Sequence, residues 1–514
     1  MKGQSEKIAF FVAVIVAGLC SLIYELLIST TSSYFLGDSV KQFSLTIGVY
    51  MAAMGLGAYL TKFIQRDLLD WFVKVEIALG LVGGMSIPLL YLVFDQLSTW
   101  QYELVMLSIT FLIGVLTGFE VPLLVRILKT YYPLKSNLAY VLSLDYLGAL
   151  IATLLFPFLL LPFVGTFQTS ILFGMINVAL GFWIYRFFTR RLSVQKKNWL
   201  QVAALVCLLF FLVLLSFSGR LLAHWEDGFY SHRIIHSEQT PYQKLVLTQN
   251  KEDLKLFINR IIQFSSDDEY RYHEALAVLP LELARRRQSV LILGGGEGLL
   301  AREVLRYSEV AQVTIVDLDG AVFELARQHP RLRQLNADAL YDPRVQLVSQ
   351  DAMVFLKERD QVFDLILADL PDPSNESLAR LYSTTFYRLA RERLRPGGLF
   401  VTQATGTFHT TKAFWGIYET LVQSGFEHVY PYHVYVPSFG DWGFHLAAGQ
   451  PLVPQEIDPP PTCRFLDREI LPHLFNFEKD IRNPGNLEAN RLDQPSLLAY
   501  FLEDWEKFRK EKIH

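Results

Sequence analysis

At 514 residues the chain has room for two or three domains, and hydrophobic residues make up 51% of it, more than an ordinary soluble chain carries. A formal net charge of −4, with basic residues in short scattered clusters and not along one face, argues against a nucleic-acid partner. Of the three cysteines, Cys20 and Cys207 lie in apolar runs and Cys463 stands alone, so neither a disulfide framework nor a CxxC metal site is available.

The apolar excess is confined to residues 8–218, and from about residue 225 the chain reads like a soluble protein. A bilayer core needs roughly 20 apolar residues per helix. Seven stretches qualify, at about 8–28, 43–61, 75–94, 104–125, 137–161, 168–187 and 199–217. The first has no small-residue cleavage site and is followed by others, so it reads as a span and not as a signal peptide. The expectation is a multi-pass protein of the cell membrane with the lipid bilayer as a partner.

Basic residues fall in alternate connections: Lys2 and Lys7; Lys62, Arg66 and Lys74; Arg126, Lys129 and Lys135; then Arg186, Arg190, Arg191, Lys196 and Lys197. The other connections hold almost only Lys41, which places the N-terminus in the cytoplasm. An odd number of spans then carries the C-terminal half to the far side. Either one span is re-entrant or interfacial, or the domain works outside on an imported cosubstrate.

Three carboxylates lie within the apolar runs: Glu25 in SLIYELL, Glu120 in TGFEVPLL and Asp145 in SLDYLGAL. An ionisable group at that depth costs several kcal/mol unless it is paired or wet. Two readings stay open: groups near helix ends bonded to neighbouring helices, or an acidic intramembrane path or site for a polycation.

The soluble half is organised around SVLILGGGEGLLAREVLRY, an apolar strand, a Gly-rich turn and an amphipathic helix, with Gly294, Gly296 and Gly298 at G-x-G-x-G spacing. Glycine there lets the backbone turn sharply and approach a ligand at a helix N-terminus. Nineteen residues after Gly298 a second strand, QVTIVD, ends in Asp317, whose carboxylate can accept from both hydroxyls of a ribose. A third strand, VQLVS, leads to Gln350 and Asp351, and a fourth, FDLILAD, ends in Asp369. Open α/β sheets bind ligands at this edge. The set suits an S-adenosyl compound better than NAD, since no second mononucleotide-binding half follows. In LADLPDPSNE, Asp369 and Asp372 flank Pro371. Two carboxylates are useful if a primary amine is the acceptor, because the amine arrives protonated and must lose a proton before it attacks carbon. A loop in which both aspartates bond to backbone amides is the plain alternative.

From about 242 to 448 the chain resembles the spermidine synthase family at ten ordered places. Tyr242-Gln243 looks like its tyrosine-glutamine pair, and LFINRIIQ like its L-x-L-D-G-x-x-Q hairpin, with Asn259 and Arg260 in place of Asp-Gly and Gln263 kept. DDEYRYHEAL is similar to D-E-x-x-Y-H-E-M, GGGEG to GGGDG, IVDLD to V-E-I-D, SQDA to x-x-D-G and DLPDP to D-x-x-D-P. LYSTTFY, RPGGLFVTQ and VPSFGDWGF follow in family order.

The apolar half reads as an α-helical multi-span membrane domain, and the resemblance implies that an α/β Rossmann-like domain with a small N-terminal β-hairpin domain follows it. The extents are 1–222, 223–275 and 276–450, with a C-terminal extension over 451–514. It implies an aminopropyltransferase in which decarboxylated S-adenosylmethionine is a cosubstrate, no cofactor is tightly bound and no metal is needed. Asp369 would be the proton acceptor; Gln243, His273, Gly294, Gly296, Glu297, Gly298, Asp317, Asp351 and Ala352 would hold the cosubstrate. Gln263, Tyr272 and Asp372 would hold a diamine such as putrescine. Soluble relatives are commonly oligomers, so a homo-oligomer is open. The departures are Glu297 for aspartate, Asp317 for glutamate, Ala352 for glycine, Glu376 for proline, and Val436, beside Tyr435, where the family's tyrosine meets the diamine. Two other readings remain: an S-adenosylmethionine methyltransferase, disfavoured because Glu297 would repel methionine's carboxylate, and a polyamine transporter or sensor with a binding-only domain.

Overall fold

A computed structural model describes residues 2–36, 39–94, 96–129, 132–187, 194–227, 230 and 232–511. The chain divides into two compact units, Met1–Ser231 and His232–His514.

The first unit is helical: α1 (Lys2–Leu36), α2 (Ser39–Leu60), α3 (Leu68–Phe94), α4 (Thr99–Leu128), α5 (Leu134–Leu155), a short α6 (Leu161–Phe163) continuing α5, α7 (Thr166–Phe187) and α8 (Val194–Asp227). Among the described residues seven of these stretches are long and apolar enough to cross a membrane. Helix α1 packs on α5, α2 on α4 and α3 on α7. Small residues permit the close pairing: a Cβ on Gly118 of α4 would lie 2.2 Å from the Met54 carbonyl oxygen of α2. The Tyr50 hydroxyl lies 2.9 Å from the Ser21 hydroxyl and 3.1 Å from that of Thr117, joining α1, α2 and α4. Glu120 is buried on α4, and Glu25 and Asp145 are half-buried. A fourth carboxylate, Glu76, is fully buried on α3 and interacts with Glu120. In a span taken as 75–94 Glu76 sits at the very edge, whereas the helix begins at Leu68 and so carries Glu76 two turns inside. Helix α8 runs past residue 222 to Asp227. Arg190 and Arg191 of the fourth basic connection lie outside the described residues.

The second unit opens with an antiparallel sheet in the order β1-β2-β3-β4: Arg233–Gln239, Lys244–Asn250, Asp253–Ile258 and Ile261–Ser265. Alternate residues Leu245 and Leu247 of β2 and Leu254 and Leu256 of β3 point to one face and bury against Leu299, Val322 and Leu325. A seven-stranded sheet follows: β5 (Ser289–Gly294), β6 (Gln312–Asp317), β7 (Val345–Ser349), β8 (Phe363–Asp369), β9 (Leu394–Gly406), β10 (His428–Val436) and β11 (Gly440–Ala448). Its order is β10-β11-β9-β8-β5-β6-β7, parallel from β9 to β7, with β10 and β11 antiparallel at one edge. Strand β5 alternates between two cores: Val290 and Ile292 enter one, Leu291 and Leu293 the other. Burial on both faces is what a central parallel strand requires.

The helices of this unit are α9 (Glu269–Leu283), α10 (Leu299–Leu305), α11 (Gly320–Gln328), α12 (Pro330–Leu335), α13 (Ala352–Glu358), α14 (Glu376–Ala379), α15 (Thr384–Glu392), α16 (Thr411–Gln423) and α17 (Ser496–Glu511). Residues beyond 450 fold back on the sheet layers: Leu497 and Phe501 of α17 share a core with Phe414 and Ile417 of α16, and the Trp415 indole donates to the Ile481 carbonyl at 2.9 Å. Strand order reverses at β5, between β8 and β6, which opens a crevice at the C-terminal ends of these strands.

Candidate active site

Four strand ends and one helix build the crevice. After β5 the chain turns through Gly294 (φ 83°), Gly295 (φ 64°) and Gly298 (φ 83°) into α10. These are left-handed values that a side chain would strain. A Cβ on Gly294 would sit 1.9 Å from the Asp369 carbonyl oxygen, so the first glycine is what lets β5 and β8 end side by side.

Helix α9 presents Glu269, Tyr272 and His273 on one face, the i, i+3, i+4 spacing of a single turn. The Tyr272 hydroxyl donates to Asp369 Oδ1 at 2.5 Å. His273 Nδ1 lies 2.7 Å from Glu269 Oε2, and Nε2 faces Glu297 Oε1 at 3.8 Å. Arg302 of α10 grips Glu269 with both terminal nitrogens at 2.9 Å, fixing the carboxylate that orients the imidazole. Burial works against charge on His273, but the hydrogen bond to Glu269 and the nearby carboxylates of Glu297 and Asp369 outweigh it and hold its pKa up at about 10. His273, Glu297 and Asp369 offer ligand atoms within 4.8 Å of one another.

Asp369 at the end of β8 is pushed up to about 6: burial and the charge of Glu297 raise it, while His273 and the Tyr272 hydroxyl pull it down. Asp372 also reaches about 6, raised by burial and lowered by Gln403 and Thr405. Its Oδ1 is buried and has no hydrogen-bond partner among the described residues. Gln403 in turn donates to the Leu370 carbonyl oxygen at 2.5 Å and to the Tyr382 hydroxyl, and accepts from the Thr405 amide at 2.8 Å.

At the other end, Asp317 accepts from the Gly296 amide at 3.2 Å and the Asp319 amide at 3.0 Å. Burial is the main reason its pKa rises to about 7. The Thr240 hydroxyl donates to Asp319 at 2.6 Å and so anchors the turn that carries Gln243 beside this strand end. Asp351 caps α13, accepting from the Val354 amide at 3.0 Å, and pairs with Arg380; Ala352 is buried behind it. The Gln263 amide on β4 donates to its own strand at Ile261, and no hydrogen bond joins it to Asp372 among the described residues.

The structure thus gathers Tyr272, His273, Glu297 and Asp369 into one cluster. Glu269, Arg302, Tyr382, Gln403 and Thr405 were not singled out from the sequence. Glu269 could have been found, since it precedes His273 by one helical turn. Tyr382 and Gln403 stand in LYSTTFY and RPGGLFVTQ, but their contacts run between elements distant in sequence. Val436 is fully buried and Tyr435 is 60% exposed, so the adjacent tyrosine does not turn inward; aromatic bulk around Tyr272 comes from Phe439 and Phe444, at ring separations of 6.0 and 5.2 Å.

Comparison with known proteins places the chain in a family. The Spermine/spermidine synthase domain matches residues 269–457. A polyamine aminopropyltransferase of Leptospira interrogans serogroup Icterohaemorrhagiae serovar copenhageni is 40% identical over 499 residues, 97% of this chain and 99% of that one. Polyamine aminopropyltransferase 2 of Ralstonia nicotianae is 42% identical over 503 residues, 96% and 97% of the two chains. The crystal structure of spermidine synthase from Thermotoga maritima is similar to 48% of this chain, covering 85% of its own, at 25% identity and a TM-score of 0.44. Because the sequence matches run through the helical unit as well as the α/β unit, the whole chain belongs to the polyamine aminopropyltransferase family.

Proposed function

We propose that this enzyme moves the aminopropyl group of decarboxylated S-adenosylmethionine onto a diamine such as putrescine and releases methylthioadenosine. One observation carries the reading: a half-buried Asp369, held by the Tyr272 hydroxyl at 2.5 Å, stands at the end of β8 with the Glu297 carboxylate close by and Asp372 three residues on. The acceptor nitrogen attacks the methylene carbon next to the sulfonium; the N–C bond forms as the C–S bond breaks, its electron pair returns to sulfur, and the amine proton passes to Asp369. A carboxyl titrating near 6 is ionised at neutral pH yet basic enough to take that proton. The sulfonium already leaves readily, so orientation and deprotonation supply most of the rate.

Glu297 receives the aminopropyl ammonium and would repel the carboxylate of intact S-adenosylmethionine. Asp317 takes the ribose, Asp351 the adenine amino group, and Gln243, His273, Gly294, Gly296, Gly298 and Ala352 line the same ligand. The free oxygen of Asp372, with Tyr272 and Gln263, receives the far ammonium of the acceptor. We assign residues 1–222 to the membrane as a multi-pass domain of the cell membrane, 223–275 to a small β domain, 276–450 to the catalytic domain and 451–514 to the extension.

A panel of amines at fixed decarboxylated S-adenosylmethionine tests the assignment. Putrescine and related diamines should turn over well and a monoamine of the same length poorly, because only a diamine reaches Asp372. Equal rates for both contradict the role given to Asp372.

A further inference from the structure

The face of α9 opposite the site is held by the C-terminal extension. Glu274 is 1% exposed, and its carboxylate accepts three consecutive backbone amides, Arg464 at 2.6 Å, Phe465 at 2.9 Å and Leu466 at 3.1 Å. Three N–H donors satisfy a buried carboxylate about as fully as an arginine does. Charged side chains close the joint from both directions: the Arg464 guanidinium lies 3.7 Å from the centre of the Tyr270 ring, and that of Arg271 lies 4.7 Å from the centre of the Phe465 ring. Leu466, Leu471 and Leu474 enter the same core as Tyr272. Further along, the Asn476 carbonyl oxygen meets His433 Nε2 at 2.9 Å on β10, and the neighbouring Tyr432 hydroxyl donates to the Ala275 carbonyl oxygen of α9 at 2.9 Å. Residues 463–477 therefore grip the segment of α9 that carries Tyr272 and His273, from the side facing away from the crevice.

We propose that residues 463–477 are a positioning strap for the catalytic helix, with Glu274 as its anchor, acting on the reaction by holding the Tyr272 hydroxyl against Asp369. The inference rests on the role proposed above for Asp369. Glu274 is a positioning residue, since it touches neither the crevice nor the reacting groups. A side chain one position from His273 and two from Tyr272 cannot shift without turning them, and displacements of that order cost large factors in rate.

The groups facing Asp369 are Tyr272 and His273 from α9, Glu297 after β5, and Tyr382 and Asp372 beyond β8. Of these, the Tyr272 hydrogen bond lowers the pKa of Asp369, so loosening it moves the acid limb of turnover to higher pH. In the full-length protein, Glu274→Gln should lower kcat about tenfold and raise the acid limb by about half a pH unit. Because it acts through Tyr272, its effect should largely vanish in the Tyr272→Phe background. Glu274→Asp should recover part of the loss. Phe465→Ala releases the strap without altering α9 and decides the matter should Glu274→Gln not fold. Hydrogen exchange over Glu269–His273 reads the strap without turnover and should quicken in both variants. Unchanged kcat, pH profile and exchange in folded variants, or full effects of Glu274→Gln on top of Tyr272→Phe, would overturn the strap. A wild-type chain that exchanges as expected but transfers nothing would overturn the reaction instead.

Discussion

Asp369, the last residue of β8, and Asp372, three residues on in the loop that follows, are both pushed to about 6 by burial and differ in what surrounds them. Asp369 has a tyrosine hydroxyl on one oxygen and an imidazolium nearby, whereas Asp372 keeps a buried oxygen without a hydrogen-bond partner among the described residues. The first arrangement suits a proton acceptor and the second a cation's counter-charge. Removing the Tyr272 hydroxyl gives a signed prediction: because that hydrogen bond lowers the Asp369 pKa, Tyr272→Phe raises it. The ionised base then persists over a narrower range, and the acid limb of kcat moves to higher pH, measurable in a pH–rate profile. A limb that stays put or moves to lower pH contradicts the assignment. At this scale the sequence disclosed residue types at strand ends and in the helix motif. It could not disclose the Arg302–Glu269 grip, because the phase between α9 and α10 is set by packing.

Among the elements, the parallel strands were the most legible, since continuous apolar runs ending in a carboxylate or a glycine turn specify both strand and edge. The β3–β4 turn shows the limit of such reading. Asn259 and Arg260 hold φ of 48° and 70°, and the Asn259 side chain accepts from the Lys244 amide at 2.9 Å. A tight turn with two left-handed residues prefers Asn-Gly, so Arg260 carries strain that the pairing of β3 with β4 sustains. Arg260→Gly should stabilise the protein by about 1 kcal/mol, read as a rise in the thermal or denaturant midpoint. Unchanged stability would mean the arginine side chain returns what its backbone costs. The 451–514 extension was legible only as linker and short helices; that it fastens to Glu274 depends on a carboxylate nearly two hundred residues earlier.

For the molecule as a whole, the seven apolar helices were countable from the sequence because each exceeds the length a bilayer demands. Glu76 was not, since its burial follows from where α3 begins and from its meeting with Glu120. If these acids form a path for a polycation, then neutralising Glu25, Glu120 and Asp145 together slows polyamine movement across proteoliposomes and leaves aminopropyl transfer intact. Unchanged movement assigns them to helix packing. Reporter fusions after residue 225 locate the catalytic unit: seven spans with a cytoplasmic N-terminus predict the far side, and a cytoplasmic signal removes one span from the count.

The central claim is that Asp369 drives aminopropyl transfer in this crevice. Its most direct test is methylthioadenosine release by the purified full-length protein given decarboxylated S-adenosylmethionine and putrescine, for the wild type and Asp369→Asn. Steady release that falls by about a hundredfold or more in the variant, with cosubstrate binding retained, is the predicted result. Release undiminished in Asp369→Asn, or no release from the wild type with any amine, would contradict it.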